Sequence, residues 1–313
     1  TSIAGIENVA VLDAPNRILA EDISAPHPVP LHTNAAVDGY AFRHSDLSDD
    51  LFPIAGRIAA GDFEPAPLPA NTSPRIFTGA VMPSGADSVA MQEDCEVVGD
   101  DVRIPTGLKR GANCRLAGED LKQGDLILQI GTRLKAADIA AAVSIGRSKL
   151  QVRKKLSVII FSSGNEMRRP GDGPTSLKPG QVWDTNHPLL CTLLQKLPVN
   201  VTDGGILEDT AGAVRAALTS ASDTHDIVLT TGGASRGSED HMLSTLDELG
   251  KRHLWQLAVK PGRPMMFGQI HGAGSHNDCI YFGLPGNPVA AMVCFLLYTR
   301  PALLRLCGAN WSE

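Results

Sequence analysis

The sequence has 313 residues and a mass of 33.1 kDa, more than one hydrophobic core usually supports, so two or three domains are expected. Its hydrophobic fraction of 43% and charged fraction of 20% are typical of a folded soluble protein and exclude a largely disordered chain. The net charge of −6, without a dense cluster of Lys and Arg, argues against nucleic-acid binding.

The cysteine spacing and the length of the apolar runs indicate the cellular compartment to expect. The six cysteines include no C-x-x-C pair, so we expect free thiols in a cytoplasmic protein, rather than a disulfide framework or a thiolate zinc site. The longest unbroken apolar run, Val289 to Tyr298, has ten residues and is too short for a membrane span. We therefore expect no membrane insertion.

Turn signals dominate the first 152 residues. Between them, Ser88 to Met91 and Val102 to Ile104 predict short strands in a β-rich lobe over residues 25–118. The alanine-rich segment from Lys135 to Ser144 predicts a short helix. Residues 1–24 together with 119–152 are predicted to form a small mixed α/β linker domain.

Residues 153–309 form the third predicted domain. Apolar strands alternate there with amphipathic helices, which predicts a parallel sheet covered by helices on both faces, a three-layer α/β arrangement. The predicted strands are Leu156–Phe161, Asp226–Thr231 and Ile280–Leu284, and the predicted helices are Pro188–Lys196, Ser238–Leu249 and a long apolar helix ending near Leu306. Each strand ends in a loop of small residues. Ligands of open α/β sheets bind at such carboxyl ends.

The charge balance differs between the last two regions. Residues 25–118 carry 7 Lys and Arg against 12 Asp and Glu, whereas residues 153–309 carry 15 against 13. The first region is therefore acidic and the second is weakly basic. This balance is compatible with a small anion bound to the α/β region and with a metal held by carboxylates.

Three loops of the α/β region have residues suited to an anion. Thr230–Gly237 combines glycines, hydroxyls and an arginine, and Lys260–Pro264 places two cations on a loop stiffened by prolines. Pro285–Pro288 halts a buried strand, offers an amide side chain and begins a helix with proline. A tight β–α turn and a solvated basic turn are the alternative interpretations of the first two loops.

Single carboxylates are less informative. Asp209 and Asp240 lie near helix starts, where capping explains an acidic residue equally well. The histidines lack H-x-x-x-H spacing, and G-x-x-x-x-G-K-[ST] does not occur. These absences argue against a histidine zinc site and a P-loop nucleotide hydrolase.

Eight motifs occur together in one order along the chain. They are Asn34-Ala-Ala-Val-Asp-Gly-Tyr-Ala41, Arg75-Ile-Phe-Thr-Gly-Ala80, Met91-Gln-Glu93, Arg115-Leu-Ala-Gly-Glu-Asp120, Pro179-Gly-Gln-Val-Trp-Asp-Thr-Asn186, Thr231-Gly-Gly233, Lys260-Pro-Gly262 and Leu284-Pro-Gly-Asn-Pro288. In this combination the chain resembles the MoeA-type molybdopterin molybdenumtransferases, the family that includes the gephyrin E domain. The resemblance covers nearly the whole chain.

This resemblance implies both a fold and an activity. The α/β region would be a molybdopterin-binding domain within a multidomain α/β protein. The protein would bind adenylated molybdopterin and molybdate as substrates, insert the metal into the dithiolene and release AMP. Expected contacts to the cofactor precursor come from Ser162, Ser163, Gly232, Gly233, Ser235, Lys260, Arg263, Pro285, Gly286 and Asn287.

The family's acidic residues correspond to scattered carboxylates of this chain. By resemblance, the catalytic set is Asp38, Asp120, Glu166, Asp209 and Asp240, and the Mg²⁺ ligands are Glu166, Asp184 and Asp240. Oxygen ligands of this kind suit Mg²⁺. The resemblance also implies a cytoplasmic homodimer whose clefts join the α/β domain of one chain to the acidic lobe of the other. Apo molybdoenzymes and other cofactor-biosynthesis proteins are candidate partners.

Three features depart from the family pattern. Asn165 occupies the position of the family's usual aspartate before Glu166, and Ala290 occupies the position of a serine. The family also usually continues into a small β-rich fourth domain, so this sequence is either part of a longer protein or a divergent member that works without that domain. These departures keep open a non-catalytic protein that binds or carries the cofactor. An interaction scaffold, as gephyrin is in animals, has no dedicated motif here.

Overall fold

The structure is a computed structural model that describes residues 2–48, 50–171, 176–232, 241–272 and 278–311. Its strands are β1 (Ile6–Ala10), β2 (Ile23–Ser24), β3 (Asn34–Ala35), β4 (Gly39–Phe42), β5 (Leu51–Pro53), β6 (Arg57–Ile58), β7 (Arg75–Ile76), β8 (Ser88–Met91), β9 (Glu96–Val98), β10 (Asp101–Arg103), β11 (Cys114–Arg115), β12 (Leu126–Leu128), β13 (Lys149–Arg153), β14 (Leu156–Ser163), β15 (Met167–Arg168), β16 (Val182–Trp183), β17 (Val199–Leu207), β18 (Ile227–Thr231), β19 (Gly250–Gln256), β20 (Pro264–Ile270) and β21 (Cys279–Leu284). Its α-helices are α1 (Ala136–Ser144), α2 (Asn186–Leu194), α3 (Ala211–Thr224), α4 (His241–Leu249), α5 (Pro288–Cys294) and α6 (Arg300–Leu306).

The chain groups into two units. The α/β unit comprises residues 1–21, 129–139 and 148–313, and the β-rich unit comprises residues 22–128 and 140–147. Helix α1 has its first turn in the α/β unit and the rest in the β-rich unit. The finer division into three domains, with a separate linker domain, stays a prediction.

A six-stranded sheet organises the α/β unit, in the order β17-β14-β18-β21-β20-β19. Strands β17, β14, β18 and β21 are parallel to one another, which confirms the predicted α/β class. Strand β20 pairs antiparallel with β21, and β19 pairs antiparallel with β20. The residue pattern does not predict β17, β19 and β20 as strands. The pair Gly204-Gly205 interrupts the apolar pattern of β17, and β19 carries charged residues because it is an edge strand.

Helices cover both faces of this sheet. Val158 and Ile160 of β14 pack in a core with residues of α2 and α5, while Ile159 and Phe161 pack in a second core with residues of α3 and α4. Successive side chains of a strand point to opposite faces, so one apolar strand supplies both cores. The result is the three-layer arrangement that the sequence predicts.

The chain is helical from Pro288 to Leu306, where a π-helix from Phe295 to Thr299 joins α5 to α6. Among the described residues this is the one helix long and apolar enough to cross a membrane, with 19 residues and a mean hydropathy of 1.5. This helix is longer than the ten-residue apolar run from Val289 to Tyr298, because α6 extends it to Leu306. Ala291, Phe295 and Leu303 pack in the core beside the sheet, which accounts for the apolar character of this helix.

Short strands build the β-rich unit, and they pair antiparallel except for the parallel pair β6 and β7. Strands β6, β7, β4 and β8 form one sheet, and β5, β10 and β9 form another, as the sequence predicts for β8 and β10. Strand β4 begins at Gly39, where an added Cβ would lie 1.9 Å from the Ala90 carbonyl oxygen. Only glycine at this position therefore allows β4 to pair so closely with β8. Tyr40, Phe42 and Phe52 fill the core between the strands.

Candidate functional site

The carboxyl ends of β14, β18 and β21 are held together at backbone level. Gly232, directly after β18, has φ +82°, and an added Cβ would lie 2.4 Å from the Ser163 carbonyl oxygen. Its N–H donates to the Leu284 carbonyl at 3.2 Å. Gly286 approaches Gly232 so closely that its own Cβ would lie 3.6 Å from the Gly232 Cα. Four of the residues predicted to contact a ligand, Ser162, Ser163, Gly232 and Gly286, therefore meet at this edge.

The loop after β21 begins a helix. The Asn287 Oδ1 accepts hydrogen bonds from the N–H groups of Val289 at 3.0 Å and Ala290 at 3.1 Å, and Pro288 occupies the first helical turn. Asn287 thus caps α5. The Nδ2 of Asn186, which begins α2, donates to the Gly286 carbonyl at 2.8 Å. The buried Oδ1 of Asn186 has no hydrogen-bond partner in the described chain.

Asp184 is buried and engaged by protein donors. Its Oδ2 accepts from the fully buried Ser162 Oγ at 2.6 Å, and its Oδ1 accepts from the His187 N–H at 3.1 Å. The second bond satisfies an N–H group in the first turn of α2, although Thr185 occupies the N-cap position. Asp184 therefore fixes Ser162 against the start of α2, and a metal ligated by it would share oxygens with these donors.

A charged cluster that sequence analysis missed lies beside Asp184. Arg169 Nη1 and Nη2 donate to both oxygens of Asp203, at 2.5 and 2.9 Å, and its Nε lies 3.8 Å from the Asp184 Oδ2. His187 Nε2 lies 3.3 Å from the Asp203 Oδ1. The hydrogen bonds from Arg169 lower the pKa of Asp203. The signal in the sequence is the pair Arg168-Arg169 soon after Glu166.

A polar cavity of about 330 Å³ adjoins this cluster. It is lined by Arg168, Arg169, Ser176, Leu177, Lys178, Gln181 and Trp183. Three of these side chains are cationic, and an indole provides a flat apolar surface. The cavity could accept an anionic group together with a planar ring.

Glu166 is exposed and forms no ion pair within the described residues. Its carboxylate lies over Gly164, where an added Cβ would be 2.6 Å from the Oε2 and where φ is +144°. The Asn165 Oδ1 accepts a long hydrogen bond from the Asp209 N–H at 3.4 Å. Asp209 does not cap α3, because Thr210 is the N-cap and accepts from the Ala213 N–H. Glu166 and Asp209 thus follow adjacent parallel strands, β14 and β17.

The basic loop before β20 is fixed to α5. Lys260 and Arg263 are exposed, and the Lys260–Pro261 peptide is cis. Gly262 between them is buried with φ +113°, its carbonyl accepts from the Cys294 Sγ at 3.3 Å, and an added Cβ would lie 2.7 Å from that sulfur. The two cations are therefore displayed from a loop whose backbone packs on the helix that Asn287 begins.

Asp38 and Asp120 lie in the β-rich unit. Thr78 donates to the Asp38 Oδ1 through its side chain at 2.6 Å and its N–H at 2.8 Å, and these bonds lower the pKa of Asp38. Asp120 is exposed and pairs with Arg115 Nη2 at 2.5 Å. Both aspartates and their partners belong to the motifs quoted above.

Gly233, Ser235 and Asp240 lie outside the described residues. In the part of the chain that the structure describes, no three His, Cys, Asp or Glu side chains form a group that could hold a metal ion. The six cysteines are free, and burial raises the pKa of Cys279 and Cys307 to about 12, so their thiolates are disfavoured.

Comparisons with known proteins agree with this arrangement. Residues 2–146 match the family model described as MoeA N-terminal region (domain I and II), and residues 159–305 match a probable molybdopterin binding domain. The chain is 36% identical to the molybdopterin molybdenumtransferase of Haemophilus influenzae over 98% of its own length and 74% of that protein. It is 33% identical to the Nostoc enzyme of the same name, over 96% of the chain and 70% of that protein.

A solved structure gives the same result. A molybdopterin biosynthesis MoeA protein from Pyrococcus horikoshii superimposes with a TM-score of 0.83 at 28% identity, covering 99% of this chain and 76% of that one. Relatives named as transferases do not favour a non-catalytic carrier. With two family models that together span most of the chain, and with relatives above 30% identity, this chain belongs to the MoeA-type molybdopterin molybdenumtransferase family.

Proposed function

We propose that the protein acts in molybdenum cofactor biosynthesis, as a transferase that inserts molybdate into adenylated molybdopterin and releases AMP. The observation that carries this proposal is the contact of Gly232 with Ser163 and Gly286, which brings three strand ends together in a chain of this family. A phosphate can approach backbone closely where glycine leaves no side chain.

The binding residues divide by their chemistry. Ser162, Ser163, Gly232, Pro285, Gly286 and Asn287 surround the strand ends, and Gly233 and Ser235 continue the same loop in sequence. We propose that they contact the phosphate and pterin portions of the substrate. Lys260 and Arg263 supply positive charge, because both are exposed on an anchored loop and neither has an ion-pair partner in the described chain. The cavity beside Trp183 is suited to a planar ring of the substrate.

Mg²⁺ is proposed as the resident metal. Glu166 fits it, since its carboxylate is exposed and unpaired within the described residues. Asp184 fits less directly, because both its oxygens already accept protein hydrogen bonds, and we propose that it ligates while orienting Ser162. Asp240 completes the predicted ligand set. When bound, Mg²⁺ would neutralise charge on the adenylate phosphates and thereby favour departure of AMP.

The remaining carboxylates are proposed to act on the reacting groups. Asp38, Asp120, Asp209 and Asp240 would orient the phosphoanhydride and the incoming molybdate together with Glu166. The lowered pKa of Asp38 keeps it ionised, so it can accept hydrogen bonds but cannot donate a proton at neutral pH. We further propose a cytoplasmic homodimer in which Asp38 of one subunit completes the cleft of its partner. We also propose that the protein transfers its product to apo molybdoenzymes, which would be its protein partners.

Reconstitution of an apo molybdoenzyme tests the activity. Purified protein would be mixed with adenylated molybdopterin, Mg²⁺ and micromolar molybdate, and enzyme activation and AMP release would be measured together. We expect both to depend on the protein. Tight molybdopterin binding without AMP release or activation would contradict the transferase and favour a carrier. The matched control is Glu64→Gln, which neutralises an exposed carboxylate that belongs to none of the proposed site residues.

A further inference from the structure

A second cavity lies in the α/β unit, away from the strand ends. It has a volume of about 580 Å³ and is lined by Asn16, Arg133, Leu193, Gln195, Lys196, Leu197, Phe295, Leu296 and Arg300. Lys196 and Leu197 connect the end of α2 to the amino end of β17, so this cavity opens near the opposite edge of the sheet from Gly232. Its volume is in the range of small-molecule sites. We call it the Arg133 cavity.

The Arg133 cavity is strongly cationic. Its lining includes Arg133, Lys196 and Arg300 but no carboxylate, and neither arginine forms an ion pair within the described residues. Burial and the nearby charge of Arg300 both lower the pKa of Arg133. A bound anion would stabilise the partly buried Arg133 guanidinium against the nearby charge of the exposed Arg300.

Local backbone supports the same conclusion. The π-helix from Phe295 to Thr299 interrupts an otherwise regular helix at this cavity, and it places Phe295 and Leu296 in the lining with Arg300 immediately after. Such π segments are rare and often occur at functional sites. Arg133 also has a structural role, because its Nη2 donates to the Asn16 Oδ1 at 3.2 Å and to the Lys196 carbonyl. Arg300 is exposed and is therefore the better residue to test.

We propose that the Arg133 cavity binds a small organic phosphate. Arg300, Arg133 and Lys196 would contact the phosphate, and Leu193 and Leu296 would contact the apolar portion of the molecule. A phosphate is favoured over a carboxylate because a dianion with three terminal oxygens matches three cations. This site is separate from the proposed transferase site and does not depend on it.

Methyl NMR of the full chain, labelled at leucine, provides a readout specific to this cavity. AMP, inorganic pyrophosphate and inorganic phosphate would each be titrated at low ionic strength while the Leu193 and Leu296 methyl signals are followed. We expect saturable shifts, with AMP binding more tightly than phosphate. The Arg300→Gln variant should weaken binding about tenfold, the effect of one charge-assisted hydrogen bond. The control variant Arg305→Gln removes a guanidinium from the same helix outside the cavity and should bind as the original chain does.

Several outcomes would overturn the proposal. Equal binding by Arg300→Gln and by the original chain would show that this cavity does not hold the anion. If phosphate binds as tightly as AMP, the apolar contacts are wrong. If Arg300→Gln changes the sedimentation coefficient while no probe shifts the Leu193 and Leu296 methyls, the cavity is instead a contact between two copies of the chain. Because the readout is not activity, failure of the transferase proposal leaves this test unaffected.

Discussion

The strand ends of the α/β unit and the aspartates of the β-rich unit use different means to present functional groups. At the strand ends, Gly232 is held against the buried sheet by close backbone contacts, and Ser162 is fixed by a buried hydrogen bond to Asp184. In the β-rich unit, Asp38 and Asp120 are held by the neighbouring side chains of Thr78 and Arg115. The comparison indicates that rigid backbone positions the substrate in one region, whereas exposed carboxylates supply charge in the other.

The largest expected effect tests the carboxylates. Glu166→Gln and Asp120→Asn keep side-chain volume but remove charge, so we expect molybdopterin binding and folding to persist while AMP release slows about 100-fold or more. AMP release at saturating substrate, with and without chelator, is the measurement. Restoring the family aspartate by Asn165→Asp should leave activity unchanged or raise it. If turnover is indifferent to chelator and to both neutralising changes, the carboxylate mechanism is wrong.

The next effect tests the rigid strand ends. Gly232→Ala introduces a Cβ that would lie 2.4 Å from the Ser163 carbonyl, whereas Gly146→Ala has the same φ of +82° with no atom within 4 Å of the added Cβ. We expect the Gly232 variant to lose about 1–3 kcal/mol more of its free energy of unfolding than the Gly146 variant. Denaturant titration gives this difference. Molybdopterin affinity should fall for Gly232→Ala alone, and equal affinity in both variants would remove Gly232 from the binding site.

A third test joins the two regions through the proposed dimer. Inactive Asp38→Ala and Glu166→Ala chains would be mixed and allowed to exchange subunits. Differently tagged chains would verify that exchange is complete. If each cleft uses Asp38 of one subunit and Glu166 of the other, half of the dimers are mixed and each contains one intact site. Recovery should then reach about a quarter of the original activity. Absence of any recovery despite complete exchange would place both residues in one subunit.

The smallest effect concerns the charged cluster beside Asp184. The pKa of Asp203 is lowered in the folded protein, so its ionised form contributes stability at pH values above its unfolded pKa near 3.8. This contribution is lost as the pH falls through the lower folded pKa. Asp203→Asn should therefore cost up to about 1 kcal/mol at pH 7, since the pair is partly exposed, and much less near pH 3. Thermal unfolding of both chains at pH 7 and near pH 3 measures this loss of stability. An equal loss at both pH values would exclude the charge of Asp203 as its cause.

Much of the fold could be predicted from the pattern of residues. The parallel strands β14, β18 and β21 and the long C-terminal helix were identified because buried strands and helices require continuous apolar stretches. The turn at Pro285–Pro288 was identified because proline and asparagine have specific roles at helix starts. The edge strand β19 was missed, since its partly exposed positions tolerate charge and leave no apolar run.

Residue types and their order in the chain were sufficient for the family, the parallel sheet and the loops at its strand ends, because these depend on local preferences and short motifs. Distances between remote residues were decided by tertiary packing. The bonds from Ser162 to Asp184 and from Arg169 to Asp203 join residues more than twenty positions apart, and the cationic lining of the Arg133 cavity joins segments separated by more than a hundred. No local pattern encodes such pairs, since only the folded sheet brings those side chains within hydrogen-bond or Coulomb range.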